Sequence, residues 1–97
     1  MKRKTQAILL KVYKEKPSKY GGSYIRTIWK DLYDNEKLIF DCKLDHFASK
    51  RFLPYLKEQA ILSNLNIIKT QMGVRYIDGK SDFKFHGIKT KENESNN

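Results

Sequence analysis

The chain has 97 residues, 39% of them hydrophobic, and a net charge of +9, so one small domain with a surface that attracts polyanions is expected. Its single cysteine, Cys42, excludes an intrachain disulfide and a multi-cysteine zinc site, and it favours a reducing, cytoplasmic location. No apolar run approaches the ~20 residues that span a membrane. The brief run Ala7–Leu10 is shorter than the apolar region of a signal peptide.

Two amphipathic helices are predicted in the first third of the chain. In residues 5–15 the apolar side chains gather on one side of a helix, which Pro17 ends. The second helix begins after the N-cap residue Ser23 and stops at Asp34 and Asn35. Its apolar positions follow the spacing of one helix face: Ile25, Ile28, Trp29 and Leu32.

A third helix is predicted over residues 44–59, after a connector at residues 36–43 that is too short to distinguish strand from helix. At 100° per residue one face of this helix holds Leu44, Ala48, Phe52, Tyr55 and Gln59. Pro54 removes a backbone hydrogen bond, at a cost of ~3 kcal/mol in a regular helix. Either the helix kinks at Pro54, which is the favoured interpretation, or residues 44–52 and 54–60 form two helices.

A β-hairpin and a polar tail complete the predicted elements. Residues 66–70 and 74–77 are typical of two strands, with Met72 and Gly73 at the turn. The alternation of Phe83 and Phe85 indicates either a further short strand or a docking segment near residues 83–86. Residues 89–97 contain no apolar side chain and are predicted to be a disordered tail. One domain is therefore expected at residues 1–88, with a basic N-terminal arm at residues 1–4.

The order helix, helix, helix, hairpin resembles the winged helix-turn-helix family of DNA-binding domains. The resemblance covers about residues 5–79 and is carried by RFLPYLKEQAIL, followed by NIIKT, MG and VRYIDG. In that family the third helix commonly ends in two spaced leucines and a small residue before an aliphatic pair. The residues at such positions here are Leu53, Leu56, Ala60, Ile61 and Leu62. The resemblance implies an α+β fold in which three helices precede a two-stranded wing.

The same resemblance implies how the protein would bind nucleic acid. Helix three would lie in the major groove, while the hairpin, helix two and the basic arm would contact the backbone or the minor groove. The expected nucleic-acid-binding residues are Lys2, Arg3, Lys4, Arg26, Lys30, His46, Ser49, Lys50, Lys57, Lys69 and Arg75. The helix-three residues among them, His46, Ser49, Lys50 and Lys57, are each equally consistent with a solvated helix face, and a basic N-terminus is more often simply solvated.

Binding of duplex DNA is the expected function, in a transcriptional regulator or in a replication or plasmid accessory factor. A homodimer would read two half-sites. Two alternatives stay open. Exposed rings at Tyr20, Tyr24 and Tyr33, set among lysines, would favour single-stranded DNA or RNA. A small basic chain without a sensor domain is also typical of a phage or mobile-element protein that binds and inhibits a host protein or ribonucleoprotein.

Enzyme chemistry has little support in the sequence. Cys42 and His46 have ligand-like spacing, but zinc normally needs four ligands and no further cysteine or suitably paired histidine accompanies them. The same pair lacks the third orienting group of a nucleophilic site. No enzyme activity, bound metal, cofactor or membrane partner is therefore expected.

Overall fold

Strands dominate the architecture of this protein, for which a computed structural model describes residues 3–89. The strands are β1 (Arg3–Val12), β2 (Lys16–Pro17), β3 (Ser23–Asp31), β4 (Lys37–Lys43), β5 (Ala60–Lys69), β6 (Arg75–Ile77) and β7 (Lys84–Ile88). The helical segments in this range are α1 (Phe47–Lys50) and a 3-10 turn (Leu53–Tyr55). Neither segment has the length and apolar character that crossing a membrane requires.

Five of the strands close into a barrel. β1, β3 and β4 form an antiparallel meander, and β5 returns to pair with the other edge of β1. β6 then fills the gap, antiparallel to β5 and parallel to β4. The short strands β2 and β7 lie outside this circuit, on β3 and β5 respectively. A three-stranded meander, a helical connection and a closing hairpin thus make up a five-stranded barrel.

Side chains alternate between the barrel interior and its surface. In β3 the buried positions are Thr27, Trp29 and Asp31, and in β4 they are Leu38, Phe40 and Cys42. This period of two is the geometry of a strand with one face packed on a core. Polar atoms in the core are satisfied: Trp29 Nε1 donates to Thr27 Oγ1 at 2.8 Å, and Thr27 Oγ1 donates to the Phe40 carbonyl at 2.7 Å.

The two N-terminal helices predicted from the sequence are wrong, because both segments are strands. Residues 5–15 fall mostly in β1, where a bulge between Leu9 and Lys11 shifts the register. The apolar spacing at residues 25–32 is met by β3, with Trp29 inside the barrel and Ile28 outside it. The segment is rich in Tyr, Ile, Thr and Trp, which favour a pleated and half-buried surface over a helix.

The third helix is also wrong, and with it the winged helix-turn-helix resemblance and the α+β class. Residues 44–59 hold only the four residues of α1 and the 3-10 turn, with Pro54 inside the turn. A proline near the start of a short helical turn sacrifices no intrahelical hydrogen bond. The hairpin prediction is confirmed, since Lys69 pairs with Arg75 across the turn, although β5 begins earlier, at Ala60. A strand near residues 83–86 is confirmed as β7.

The predicted ends of the domain are only partly visible in the described range. Arg3 and Lys4, assigned to a free basic arm, instead begin β1 and pair with β5. Lys2 lies outside the described residues. The predicted disordered tail, residues 89–97, also lies outside them apart from Lys89.

One end of the barrel is closed by an ion cluster of Arg3, Asp31, Asp34 and Arg75, called here the barrel-end cluster. Asp31 is completely buried and accepts hydrogen bonds from Thr5 Oγ1 at 2.6 Å and from Arg3 Nη2 at 2.7 Å. Arg75 donates to Asp34, which also lies 3.5 Å from Arg3 Nη2. The cluster therefore joins β1 and β6 to the end of β3.

The barrel-end cluster predicts an acid-dependent loss of stability. The hydrogen bond from Arg75 lowers the pKa of the Asp34 carboxyl. A carboxyl group whose pKa is lowered by folding stabilises the folded state at pH values above its unfolded pKa of about 3.9. This stabilisation is lost as the pH falls through the lower pKa of the folded state. We expect the melting temperature of the wild type to fall more steeply than that of Asp34→Asn between about pH 5 and pH 2. Circular dichroism melts would measure this, and parallel pH profiles for the two proteins would contradict it. Asp82→Asn is the matched control, because the exposed Asp82 carboxylate lies outside the cluster.

Candidate nucleic-acid interface

The outer face of β3, β4 and β6 carries an apolar row that runs across the strands. Strand registers place Ile28 of β3 opposite Ile39 of β4, and Ile39 opposite Tyr76 of β6. Tyr76 in turn pairs with Ile68 of β5, which is 42% exposed. The outer face is therefore partly apolar, although the barrel core lies on the other side of the same strands.

Cationic and aromatic side chains flank the apolar row on both sides. Lys30 pairs with Lys37 on one side, and Tyr24 pairs with Lys43 on the other. None of the lysines in residues 3–89 forms an ion pair, since all the ion pairs in that range are made by arginines. The lysine ammonium groups of this face are consequently available to an external anion.

Arg26 differs from these lysines, because its charge is already matched within the face. Its Nε and Nη2 donate to the two carboxylate oxygens of Asp41, each at 2.8 Å. This two-pronged contact raises the pKa of Arg26, so the guanidinium stays fully ionised. Such a pair has a fixed geometry and serves to hold β3 and β4 side chains in place. The unpaired charges on the face are thus those of the lysines.

The loop between β1 and β3 extends the face at one end. It carries Lys14, Lys16 and Lys19, together with Tyr20, whose residue is 93% exposed. The loop turns through Gly22 at φ +69°, where an added Cβ would lie 2.5 Å from Asp45 Oδ2. The exposed Asp45 side chain could rotate away from an added Cβ, but the left-handed backbone conformation of this turn favours glycine at position 22.

Two cavities open onto the face, one on each side of β4. The loop-side pocket, of about 290 Å³, lies against Tyr20, Tyr24 and the loop residues 17–19. The helix-side pocket has a volume of about 320 Å³. It is lined by Phe40, Asp41, Lys43, His46, Ala48, Ser49, Tyr76, Ile77, Asp78, Gly79 and Lys80. Asp41 and Lys43 line both pockets, so the two cavities are neighbours on the outer face.

The structure brings together only some of the residues predicted to bind nucleic acid. Arg26 and Lys30 lie on the outer face, and His46 and Ser49 line the helix-side pocket. Lys50, Lys57 and Lys4 are exposed but line neither pocket. Lys69 lines a separate cavity beside the barrel-end cluster. Within that cluster, the guanidinium groups of Arg3 and Arg75 form ion pairs with carboxylates.

Sequence reasoning missed the residues that β4 and β6 contribute to the face: Lys37, Ile39, Lys43 and Tyr76. The signal for β4 was present in KLIFDCK, where buried Leu38, Phe40 and Cys42 alternate with outward side chains. The position of Tyr76 depends on the parallel pairing of β6 with β4. That pairing joins segments more than 30 residues apart and has no local signature.

The Cys42–His46 pair considered in the sequence is not assembled as a nucleophilic site. Cys42 is buried in the core, and its Sγ donates to the Ser49 carbonyl at 3.2 Å. Burial raises the pKa of the Cys42 thiol to about 11, so the thiol stays protonated at neutral pH, and a protonated thiol is a poor nucleophile. Within the described residues, no group of three or more His, Cys, Asp or Glu side chains could hold a metal ion.

Comparison of the chain with protein-family models, curated proteins and solved structures returned no match. The geometry and chemistry of the outer face are therefore the features that indicate what this protein binds.

Proposed function

We propose that this protein binds single-stranded nucleic acid across the outer face of β3, β4 and β6. The observation that carries the proposal is the apolar row of Ile28, Ile39, Tyr76 and Ile68, flanked by lysines without ion-pair partners. Unpaired bases stack on aromatic and apolar side chains, while cations beside them follow the phosphates. A face that has apolar side chains and lysines in adjacent rows is therefore suited to a nucleic-acid strand whose bases are exposed.

A duplex offers less to this surface. Its bases are stacked inside the helix, and reading them in the major groove normally takes an inserted helix or β-ribbon. The only α-helix in the described range, α1, has four residues, about one turn. The helix expected to enter the groove is therefore lacking in residues 3–89, and we favour single strands over the duplex target expected from the sequence.

The fold adds an argument by analogy. Five-stranded barrels of this architecture commonly bind oligonucleotides or oligosaccharides at the corresponding strands and at the loops that flank them. Fold alone does not determine function, and the lysines favour the anionic of these two ligand classes. A cytoplasmic role in replication or in the life cycle of a mobile element is consistent with this proposal and with a reduced, buried Cys42.

Fluorescence anisotropy with labelled oligonucleotides of about 12 nucleotides would test the proposal. Oligothymidine, oligouridine and a duplex of mixed sequence would each be titrated at several salt concentrations. We expect tighter binding of the single strands, with a log-affinity slope against log salt of about −0.7 for each phosphate neutralised. Equal or tighter binding of the duplex would contradict the single-strand proposal. Binding that salt leaves unchanged would favour a protein partner over any nucleic acid.

Matched lysine variants would locate the interface. The face variant combines Lys37→Gln and Lys43→Gln. The control combines Lys84→Gln and Lys89→Gln, two exposed lysines in or just after β7 that line neither pocket. Both variants lose the same charge, but only the face variant is expected to reduce the salt slope, by about 0.7 for each phosphate that the protein no longer neutralises. Equal slopes for the two variants would place the interface elsewhere.

A further inference from the structure

We infer that the helix-side pocket receives one unpaired base of the bound strand and selects guanine. This inference rests on the proposed function, because the pocket opens onto the face that would carry the strand. Tyr76 belongs both to the apolar row and to the lining of the pocket. A base that leaves the row at Tyr76 therefore enters the pocket directly. The volume of about 320 Å³ is ample for a single base.

Asp78 contributes to this pocket a carboxylate with unused acceptor capacity. Its Oδ1 accepts a hydrogen bond from the Lys80 backbone N–H at 3.0 Å. No side chain in residues 3–89 donates to the Asp78 carboxylate or forms an ion pair with it. Asp41, the other carboxylate of the pocket, is already engaged by Arg26 through both of its oxygens. Asp78 is thus the carboxylate left to accept hydrogen bonds from a ligand.

An ionised carboxylate can only accept hydrogen bonds, through two adjacent oxygens. Guanine matches this pattern, because its N1–H and its N2 amino group are neighbouring donors on one edge. Thymine and uracil present one N–H between two carbonyl oxygens, which a carboxylate would repel. Adenine and cytosine each place a single amino donor beside an acceptor nitrogen. The carboxylate of Asp78 therefore discriminates in favour of guanine.

Lysines that line the same pocket reinforce this choice. Lys43 and Lys80 both contribute to its lining, and an ammonium group is a common donor to the O6 and N7 acceptors of guanine. Guanine combines two adjacent donors with two adjacent acceptors, so it can use the carboxylate and a lysine together. Lys43 also lines the loop-side pocket, which places it beside the phosphate that links bases in the two pockets.

The test uses oligothymidine with one central position changed to guanine, adenine, cytosine or inosine. We expect guanine to bind more tightly than thymine by about fivefold or more, which is the lower end of the discrimination given by a two-bond base contact. Adenine controls for the stronger stacking of a purine. Inosine lacks the N2 amino group and is expected to lose most of the advantage. A guanine oligonucleotide that binds no better than the adenine and inosine ones would overturn the inference.

Asp78→Asn connects the preference to this residue. Asparagine keeps an Oδ1 acceptor for the Lys80 backbone, so the local turn is retained. The variant is expected to lose the guanine preference and to bind plain oligothymidine at least as tightly as the wild type, because a negative charge has been removed. Asp82→Asn makes the same charge change at an exposed residue outside the pocket and should keep the preference. A guanine preference that survives in Asp78→Asn would contradict the assignment.

Binding of every oligonucleotide without a preference refutes only this inference, whereas absence of all binding refutes the proposed function as well.

Discussion

Replacement of both Tyr24 and Tyr76 by alanine is expected to weaken binding of oligothymidine by at least about 30-fold, since each stacked base contributes about 1–3 kcal/mol. Each tyrosine lines one of the two pockets of the outer face. Removal of the rings takes away the surfaces on which bases would stack but leaves every lysine of the face in place. The salt slope should therefore stay close to that of the wild type while the affinity falls.

Two comparisons make this result specific. Tyr→Phe substitutions at the same positions keep the rings and are expected to retain most of the affinity. Tyr33→Ala removes a tyrosine that is 80% exposed but lines neither pocket, and it should have little effect. Anisotropy titrations at a fixed salt concentration would measure all four proteins. A double phenylalanine variant as weak as the double alanine variant would show that hydroxyl contacts, and not stacking, provide the affinity.

The largest expected effect on stability comes from Asp31 in the barrel-end cluster. Asp31→Ala is expected to lower the free energy of unfolding by about 2–3 kcal/mol, the upper range for the loss of a hydrogen bond to a charged group. The Asp31 side chain has no exposed surface and holds Arg3 and Thr5 of β1. Its loss leaves the Thr5 hydroxyl only the more distant Gln6 carbonyl, at 3.5 Å, as an acceptor and weakens the anchoring of Arg3. Urea unfolding followed by circular dichroism would measure the change.

Asp41→Ala is the matched comparison for this prediction. Asp41 also forms an ion pair with an arginine, but its side chain is 27% exposed, against 0% for Asp31. Exposed pairs usually contribute less than about 1 kcal/mol, because water screens the charges. The two substitutions should therefore differ severalfold in their effect. If both substitutions lowered the free energy of unfolding by similar amounts, burial would not be what determines the contribution of the barrel-end cluster to stability. Asp31→Asn, which keeps the shape of the side chain, would separate the charge from the packing.

The position of the hairpin at residues 66–77 was predictable because its signals are local. Two short runs rich in β-branched and aromatic residues flank a tight Met72-Gly73 turn, and Gly73 adopts a positive φ of 87° there. A two-stranded hairpin depends on the few residues around its turn. The same argument applies to β7, which the alternation of Phe85 with Phe83, the residue just before the strand, made visible in the sequence.

The identity of β3 could not be decided in the same way, because its outer face also carries an aliphatic side chain, Ile28. Ile25 and Trp29 point towards the core, while Ile28 lies in the apolar row outside. When just one side of a strand is apolar, its sequence shows a clear alternation of apolar and polar residues. In β3 the apolar residues on both sides together also match the spacing of one helix face. The row that we propose as a binding surface is therefore the same feature that disguised the strand. In β1 the bulge near Leu10 had a similar effect on the pattern.

Residues 44–59 show how tertiary structure overrides a helical pattern. Phe52 is fully buried, and its ring packs 4.4 Å from Phe40 and 4.3 Å from Phe83, centroid to centroid. The segment has to carry the chain from the end of β4 to the start of β5 while it places Phe52 against the barrel. One turn of helix, a 3-10 turn at Pro54 and a positive φ at Gln59 achieve this. A straight helix would satisfy the same local pattern without meeting the two ends.

The sequence by itself determined the strongly basic charge, the single cysteine, the closing hairpin and the presence of cations beside tyrosines. Only the tertiary structure decided which of those cations are available, because Arg3 and Arg75 meet Asp31 and Asp34 across 28 to 41 residues of sequence. It also decided which residues share a surface, since Tyr24, Lys43 and Tyr76 come from three separate strands. Strand pairing depends on register between distant segments, and the free energy that selects a register comes from burying a common core. Local sequence patterns do not contain that information.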